Sequence, residues 1–512
     1  MSKAIANLFR LLRIARTLAR HDALFPLERL AVAPGVMTIA RLISRQHASG
    51  RPGQRLAAAC EELGPTFIKL GQALSVRSDL VGEDVATDLS SLQDKLPPFP
   101  SEKAKAIIEE ELGHRIDELF DRFDSEPVAA ASIAQVHSAT TTDGRDVAVK
   151  VLRPDVESVF ERDLELMYWV AALAERTRPE LRRLRPVEVV RTFEETVRIE
   201  MDFRMEAAAA AELAENFLGH YDFRVPAVDW RRTGRRVLTT EWVDGIPIDE
   251  VDALAEAGLD LHDIIGKSAG VFFYQVFRDG FFHADMHPGN MFIGRDGTLM
   301  PVDFGIMGRL DRKTRNYLAD MLLAFLQRDY RRVANVHFEA GYVPAHKSRD
   351  AFTQACRSIG EPILGLPLEE ISLARLLAQL FQVTEQFEME TQPQLLLLQK
   401  TMLVAEGVSR KLDPAVNMWV LAQPLIEEWM RENRSPAARA RDTAQALLDQ
   451  LERLPVLLER IDLAGKMVEE GGMRLHPESE AALRGRGNSL WPAAVVAAAT
   501  ALVTVALVLA LV

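Results

Sequence analysis

The sequence predicts an α+β fold of two lobes, a small β-containing one and a larger helical one, with a helical extension in front and an apolar tail behind. Three observations carry this expectation. Short β-rich runs stand at Val147–Leu152 and Arg236–Val243. Helical apolar periodicity covers residues 1 to about 125 and Leu261 to about Arg460. The stretch from Trp491 to Val512 holds no charged residue. At 512 residues, 48 % of them hydrophobic, the chain is long enough to bury a sizeable core. A formal charge of -13 and a pI near 5.5 argue against nucleic acid as a partner. Cys60 and Cys356 form no CxxC pair, so neither a disulfide framework nor a cysteine zinc site is suggested, and a reducing compartment fits.

Taken in order, the extension (1–125) opens with Ile5, Leu8, Leu12 and Ala15 at helical spacing and Arg10, Arg13, Arg16 and Arg20 on other faces. This reads as a basic amphipathic helix, either lying at a membrane interface or docked on its own domain with its basic face in water. The arginines interrupt any signal-peptide apolar core. Breaks at Pro34-Gly35, Gly50–Gly53, Gly64-Pro65 and Pro97–Pro100 divide the extension into helices. The β-containing lobe (126–246) includes a long helical pattern between Asp163 and Phe217. The helical lobe (247–460) is interrupted by a loop-rich section, His283–Asp303, with short apolar runs at Met291–Ile293 and Leu299–Val302. Residues 461–490 read as a linker. Residues 491–512 read as a transmembrane segment, since a helix rising ~1.5 Å per residue there covers ~30 Å, about the hydrocarbon thickness of a bilayer. Arg484 and Arg486 precede it and place the catalytic lobes on the cytoplasmic side of the inner membrane.

The chemistry-bearing residues cluster in that loop-rich section. His283-Ala284-Asp285-Met286-His287-Pro288-Gly289-Asn290 fits H-x-D-x-x-x-x-N, and Asp303-Phe304-Gly305 follows closely. Either piece alone is common in turns. In this order and spacing they point to phosphoryl transfer from ATP, a reaction that needs positioning and neutralisation of phosphate charge. Asn290 and Asp303 supply the oxygen ligands that suit Mg²⁺, and Asp285 is left to orient or deprotonate the attacking hydroxyl or water. His283 and His287 lack a nearby cysteine or further histidine to complete a transition-metal site, so structural roles are expected for both. Upstream, Asp146-Val147-Ala148-Val149-Lys150 ends an alternating strand on a lysine able to reach nucleotide phosphates, as the VAIK strand of kinases does. Such a lysine needs a carboxylate, and both Glu200 and Glu206 are candidates. Where a glycine-rich phosphate loop would precede the strand, the chain reads Val128-Ala129-Ala130-Ala131-Ser132-Ile133-Ala134-Gln135-Val136. Alanine restricts positive φ and holds backbone amides further from a phosphate, so nucleotide binding through this loop should differ from that of an ordinary kinase.

The alanine-rich loop, the segment Gly64-Pro65-Thr66-Phe67-Ile68-Lys69-Leu70-Gly71-Gln72, the Glu200-x-Asp202 element and HADMHPGN together resemble the UbiB family of atypical kinase-like proteins, over roughly residues 60 to 310. The resemblance implies an atypical protein-kinase-like two-lobed fold. It also implies that the extension bearing Lys69 and Gln72 folds over the active site, where a protein substrate would otherwise bind, with Lys69 engaging the Glu200-x-Asp202 element. The activity it implies is that of an ATPase supporting ubiquinone biosynthesis, with membrane lipid and prenylated quinone intermediates as partners and quinone-biosynthesis enzymes as others. No APE-like element follows Gly305, so a peptide-docking segment is not expected. Bacterial relatives often end in two apolar segments, whereas one is clear here, so the tail reads either as a spanning helix or as a re-entrant hairpin. A small-molecule phosphotransferase of the aminoglycoside-kinase type shares HxDxHPGN and the following aspartate, and a nucleotide-binding scaffold needs only the binding residues. A direct hydroxylase finds no support, since neither GxGxxG nor an iron-ligand cluster occurs.

Overall fold

The computed structural model describes residues 3–25, 50–75, 81–89, 92, 96–177, 185–362 and 393–413, with a few more between 379 and 431. The chain divides into two units, Met1–Met430 and Arg431–Val512, and the elements below belong to the first. Among the described residues no helix is long and apolar enough to cross a membrane. The linker at 461–490 and the tail at 491–512 lie outside the described residues.

Helix α1 (Lys3–Arg20) is docked on its own chain. It buries Ala15, Leu18 and Ala19 against Leu56 and Cys60 of α2 (Pro52–Leu63), and Leu11 is buried on the same helix. Arg13, Arg16 and Arg20 stay exposed, and Arg10 donates to the Arg162 carbonyl at 2.9 Å. Of the two expectations for this helix, docking is therefore the one observed, on a face running through Leu11 rather than Leu12. Helix α3 (Pro65–Ser75) carries the Lys69 segment and packs against α2 and α4 (Glu83–Leu89). A Cβ built on Gly71 would overlap Leu92 Cδ1, so glycine is what lets α3 approach its neighbours this closely.

Helix α5 (Ser101–Leu112), the short α6 (Ile116–Leu119) and β1 (Phe120–Phe123) lead into an antiparallel sheet, so the sheet begins at Phe120 rather than after residue 126. Its remaining strands are β2 (Ala129–Ala130), β3 (Ala134–Thr141), β4 (Asp146–Leu152) and β5 (Val237–Glu241), in the order β1-β3-β4-β5 with β2 on β3. The two-residue alternation of β4 sends Val147, Val149 and Val151 to one face, where Ala104, Ile107 and Ile108 of α5 cover them. Lys150 is thereby delivered to the opposite face. The helical pattern expected between Asp163 and Phe217 resolves into three helices, α7 (Val156–Thr177), α8 (Pro186–Glu200) and α9 (Phe203–Asn216). Pro186 opens α8, where a missing N–H costs nothing. Asp202 opens α9 by accepting the Arg204 N–H.

The helical lobe contains β6 (Ile246–Pro247), α10 (Val251–Glu256) and α11 (Leu261–Phe273), the last running into a π-helical turn, Tyr274–Asp279. Then come β7 (Phe281–His283), β8 (Met291–Ile293), β9 (Leu299–Pro301) and β10 (Met307–Arg309). These pair as β6-β8-β9 and β7-β10. Helices α12 (Arg312–Leu326), α13 (Tyr330–Glu339), α14 (Arg349–Gly360) and α15 (Pro393–Leu412) follow. α15 buries Leu398, Val408 and Leu412 in the core that also holds Ile265, Phe282 and Phe304.

Candidate active site

Lys150 is the centre of the first cluster. Its Nζ lies 2.8 and 3.0 Å from the two oxygens of Glu206 and 3.0 Å from Asp303 Oδ2, and 5.4 Å from the centre of the Phe203 ring. The choice left open between the two glutamates is thereby resolved. Glu206, in α9, takes Lys150, whereas Glu200, at the end of α8, pairs with Lys69 of α3 at 3.0 Å. Asp202, between them, turns instead to Arg204, whose Nε and Nη2 reach it at 2.9 and 2.7 Å. In the Lys150 cluster one ammonium serves two carboxylates. Burial pushes Asp303 up, but the Lys150 charge and the Gly305 N–H hold it well below the usual carboxylate range. Glu206 is only 6 % exposed, and burial together with the Asp303 charge raises it despite Lys150. Burial would lower Lys150, yet the two carboxylates more than offset that and keep it protonated. The shared cation thus leaves the deeper carboxylate the less comfortable one.

The second cluster is built on the turn after β7. Burial pushes His283 down, so its ring is neutral. Nδ1 accepts the Asp285 N–H at 3.2 Å and Nε2 donates to the Asp303 carbonyl. One imidazole therefore ties the Asp285 turn to the Asp303 turn. Gln275, in the π-helical turn, accepts the His283 N–H at 2.8 Å. Asn290 Nδ2 donates to the carbonyl and to Oδ2 of Asp285, at 3.2 and 3.3 Å, which leaves the amide oxygen as the donor atom for a cation. The other Asp285 oxygen accepts from Lys400 Nζ of α15 at 3.0 Å. His287 caps the turn Pro288–Asn290 by accepting the Gly289 N–H at 3.2 Å. Asp303 Oδ1 accepts the Gly305 N–H at 2.9 Å. Among the described residues no group of three or more histidines, cysteines or acids is placed to hold a metal, so a cation site here rests on one carboxylate, Asp303, and one amide, Asn290.

The alanine-rich segment forms a hairpin rather than an open loop. Ala129 and Ala130 pair with Val136 and Gln135, and the Ala131 N–H reaches the Ala134 carbonyl at 2.8 Å. None of residues 128–136 has positive φ. Arg153 ties the tip down, donating from Nε to the Ala131 carbonyl at 2.8 Å, and Ile133 is buried against Phe160. Within the segment Val128 is exposed, while Gln135 is fully buried. Gln135 is spent on both backbone groups of Phe99 and on His137, so its side chain is unavailable to a nucleotide. The Ser132 hydroxyl is buried and has no protein partner. Sequence reasoning missed Lys400 and Gln275, which act from elements with no motif, and Phe203 and Arg153, which stand beside the Asp202 and Lys150 motifs without belonging to them.

The kinase order of motifs now has a matching geometry, and comparison with known proteins carries it further. The ABC1 atypical kinase-like domain matches residues 91–337, and the UbiB helical domain matches residues 356–417. A protein of Marinobacter nauticus named "Probable protein kinase UbiB" is 44 % identical over 478 residues, covering 91 % of this chain and 87 % of its own. The chain belongs to the UbiB family. Its counterpart of the same name in Azotobacter vinelandii is 45 % identical over 455 residues, 87 % of this chain and 84 % of that one. As a UbiB protein the chain is an atypical kinase-like enzyme, and α15, which carries Lys400, lies in its helical domain. The solved Rv3197–erythromycin complex from Mycobacterium tuberculosis is similar in fold, with a TM-score of 0.52 and 26 % identity over 73 % of this chain and 95 % of that one.

Proposed function

We propose that this UbiB protein binds and hydrolyses Mg-ATP beside the inner membrane in support of ubiquinone biosynthesis, acting on or with prenylated quinone intermediates. The observation that carries this reading is the convergence of Lys150 on Asp303, and of Asn290 on Asp285, with His283 bonded to both turns. Lys150 lends its charge to the nucleotide phosphates. Asp303 and Asn290 hold Mg²⁺. Asp303 is ionised and the Asn290 amide nitrogen is already committed to Asp285, which fits the pair to a hard cation. When bound, the metal neutralises phosphate charge. The orphaned Ser132 hydroxyl suits a phosphate oxygen. Asp285 orients the attacking hydroxyl or water and takes its proton. The pairing of Lys69 with Glu200 ties α3 to the end of α8, next to the helix that holds Lys150, which supports turnover without a protein acceptor. Quinone-biosynthesis enzymes are the partners this reading adds. The tail at 491–512 supplies the membrane anchor.

The test is Mg²⁺-dependent ATP hydrolysis by the full chain, with and without lipid bilayers, in the wild type and in Asp303→Asn. The wild type should be active and the variant close to background, and a variant with normal turnover refutes the reading. Quinone analysis of a deletion strain joins this chemistry to the pathway if wild type restores quinone and Asp285→Asn does not.

A further inference from the structure

We infer that Lys400 is a catalytic residue of this site, a second cation delivered by the helical domain to the oxygens of the phosphoryl group in transfer. The inference rests on the Mg-ATP reading and adds a residue outside the kinase-like match. Lys400 Nζ lies 3.0 Å from Asp285 Oδ1, on the carboxylate that faces the attacking oxygen. That bond uses one of three ammonium N–H groups, and among the described residues no second acceptor reaches it. The side chains of Lys400 and Asp285 are 31 % and 30 % exposed, so the remaining donors are open to a ligand. The anchoring is firm. The neighbours Leu398 and Thr401 are buried, and Thr401 Oγ1 bonds the Leu397 carbonyl at 2.9 Å. α15 packs against α11 and β10, the strand that follows the Asp303 turn.

Charge shows why the site needs this lysine. Lys150 is already shared by Glu206 and Asp303, and Lys69 is engaged with Glu200. The alanine hairpin, with no positive φ, offers less of the amide cradle a glycine loop provides. In the reaction the attacking oxygen bonds the γ-phosphorus and gives its proton to Asp285. The bond from phosphorus to the bridging oxygen breaks, its electron pair leaving on ADP. Charge spread over the three equatorial oxygens in between is what a fixed cation beside Asp285 stabilises.

The full chain in detergent or in phospholipid vesicles tests this with Lys400→Met, Lys400→Arg and Lys400→Ala. Lys411→Ala serves as control, since Lys411 sits on the same helix and bonds Asp249 at 3.3 Å, away from the site. Lys400→Met should lower kcat about 100-fold, the effect of one preorganised donor, while Mg-ADP affinity and melting temperature hold, because ADP lacks the group being transferred. Arginine should retain part of the rate, ethylammonium should restore part of it to Lys400→Ala, and Lys411→Ala should match wild type. A kcat within about threefold of wild type, against the donor effect expected, overturns the inference. So do a rise in kcat, no amine rescue, or a loss of ADP affinity and melting temperature in step with rate. A wild-type chain without Mg-ATP turnover, or an active Asp303→Asn, sinks the underlying reading and this one with it. Normal turnover with an indifferent Lys400→Met sinks this one alone.

Discussion

Replacing Lys150 by methionine removes the cation and keeps a side chain of similar length over Phe203. Glu206 and Asp303 are then left facing one another with no counter-charge, after losing contacts of 2.8 and 3.0 Å. Deleting one partner of a buried ion pair costs about 3–5 kcal/mol. Protonation of one carboxylate limits the loss, and Glu206 is the one to protonate, since burial and the Asp303 charge already raise it in the wild type. A carboxyl raised in the folded state contributes stability that is fully present below its unfolded value, about 4.3, and is lost as pH rises through the folded value. The deficit of Lys150→Met should therefore be small near pH 5 and grow to about 3–5 kcal/mol toward pH 8. Adding Glu206→Gln removes the titrating group and should flatten that dependence. Thermal unfolding of the full chain in detergent, followed by circular dichroism across this range, measures it. A deficit independent of pH, or an unchanged slope in the double variant, refutes the shared-cation arrangement.

Two further outcomes test the extension. Lys69→Met leaves Glu200 without its ammonium at a side chain only 13 % exposed, at a cost of about 1–3 kcal/mol. Hydrogen exchange should speed up across α3 while the β3–β4 ladder stays protected, and an unchanged α3 would contradict the pairing. Gly71→Ala drives a methyl into Leu92 and should destabilise by about 1–3 kcal/mol as overpacking does, with Leu92→Ala relieving part of the loss. Additive losses in that pair would show the contact to be absent.

The convergence of Lys150 on Asp303 and of Asn290 on Asp285 is legible because their motifs have fixed spacing and because the alternation of β4 decides which way Lys150 faces. The partner of Lys150 was not legible. Glu200 and Glu206 fall within one apparent helical run, and only the corner at Met201–Asp202 sends them to different lysines. The buried face of α1 slipped for a related reason. Thr17 and Ala19 are among its buried residues, and small residues add little to an apolar pattern. Gln135 read as part of a phosphate loop by position, yet its partners Phe99 and His137 come from the segment before α5 and from the sheet, respectively. Lys400 carried no signal. A lysine in a leucine-rich helix is by default a solvated charge on an apolar stem, and tertiary packing alone brings it to Asp285.

The corner between α8 and α9 gives α3 a direct mechanical link to Lys150. Glu200 ends α8 and holds Lys69, whereas Glu206 lies in the first turns of α9 and holds Lys150. Between them Asp202 caps α9 and grips Arg204, the Phe203 N–H bonds the Arg235 carbonyl at 2.9 Å, and the Phe203 ring lies under Lys150. With both glutamates in charged contacts and Met201 and Phe203 buried, the two glutamates cannot move independently without breaking a charged contact or opening a cavity. Displacing α3 therefore pulls on the element that positions Lys150, whereas in an arrangement without the Lys69–Glu200 pair the lysine would answer only to α9. Seating of the extension and the position of the Lys150 ammonium are in this way one structural condition.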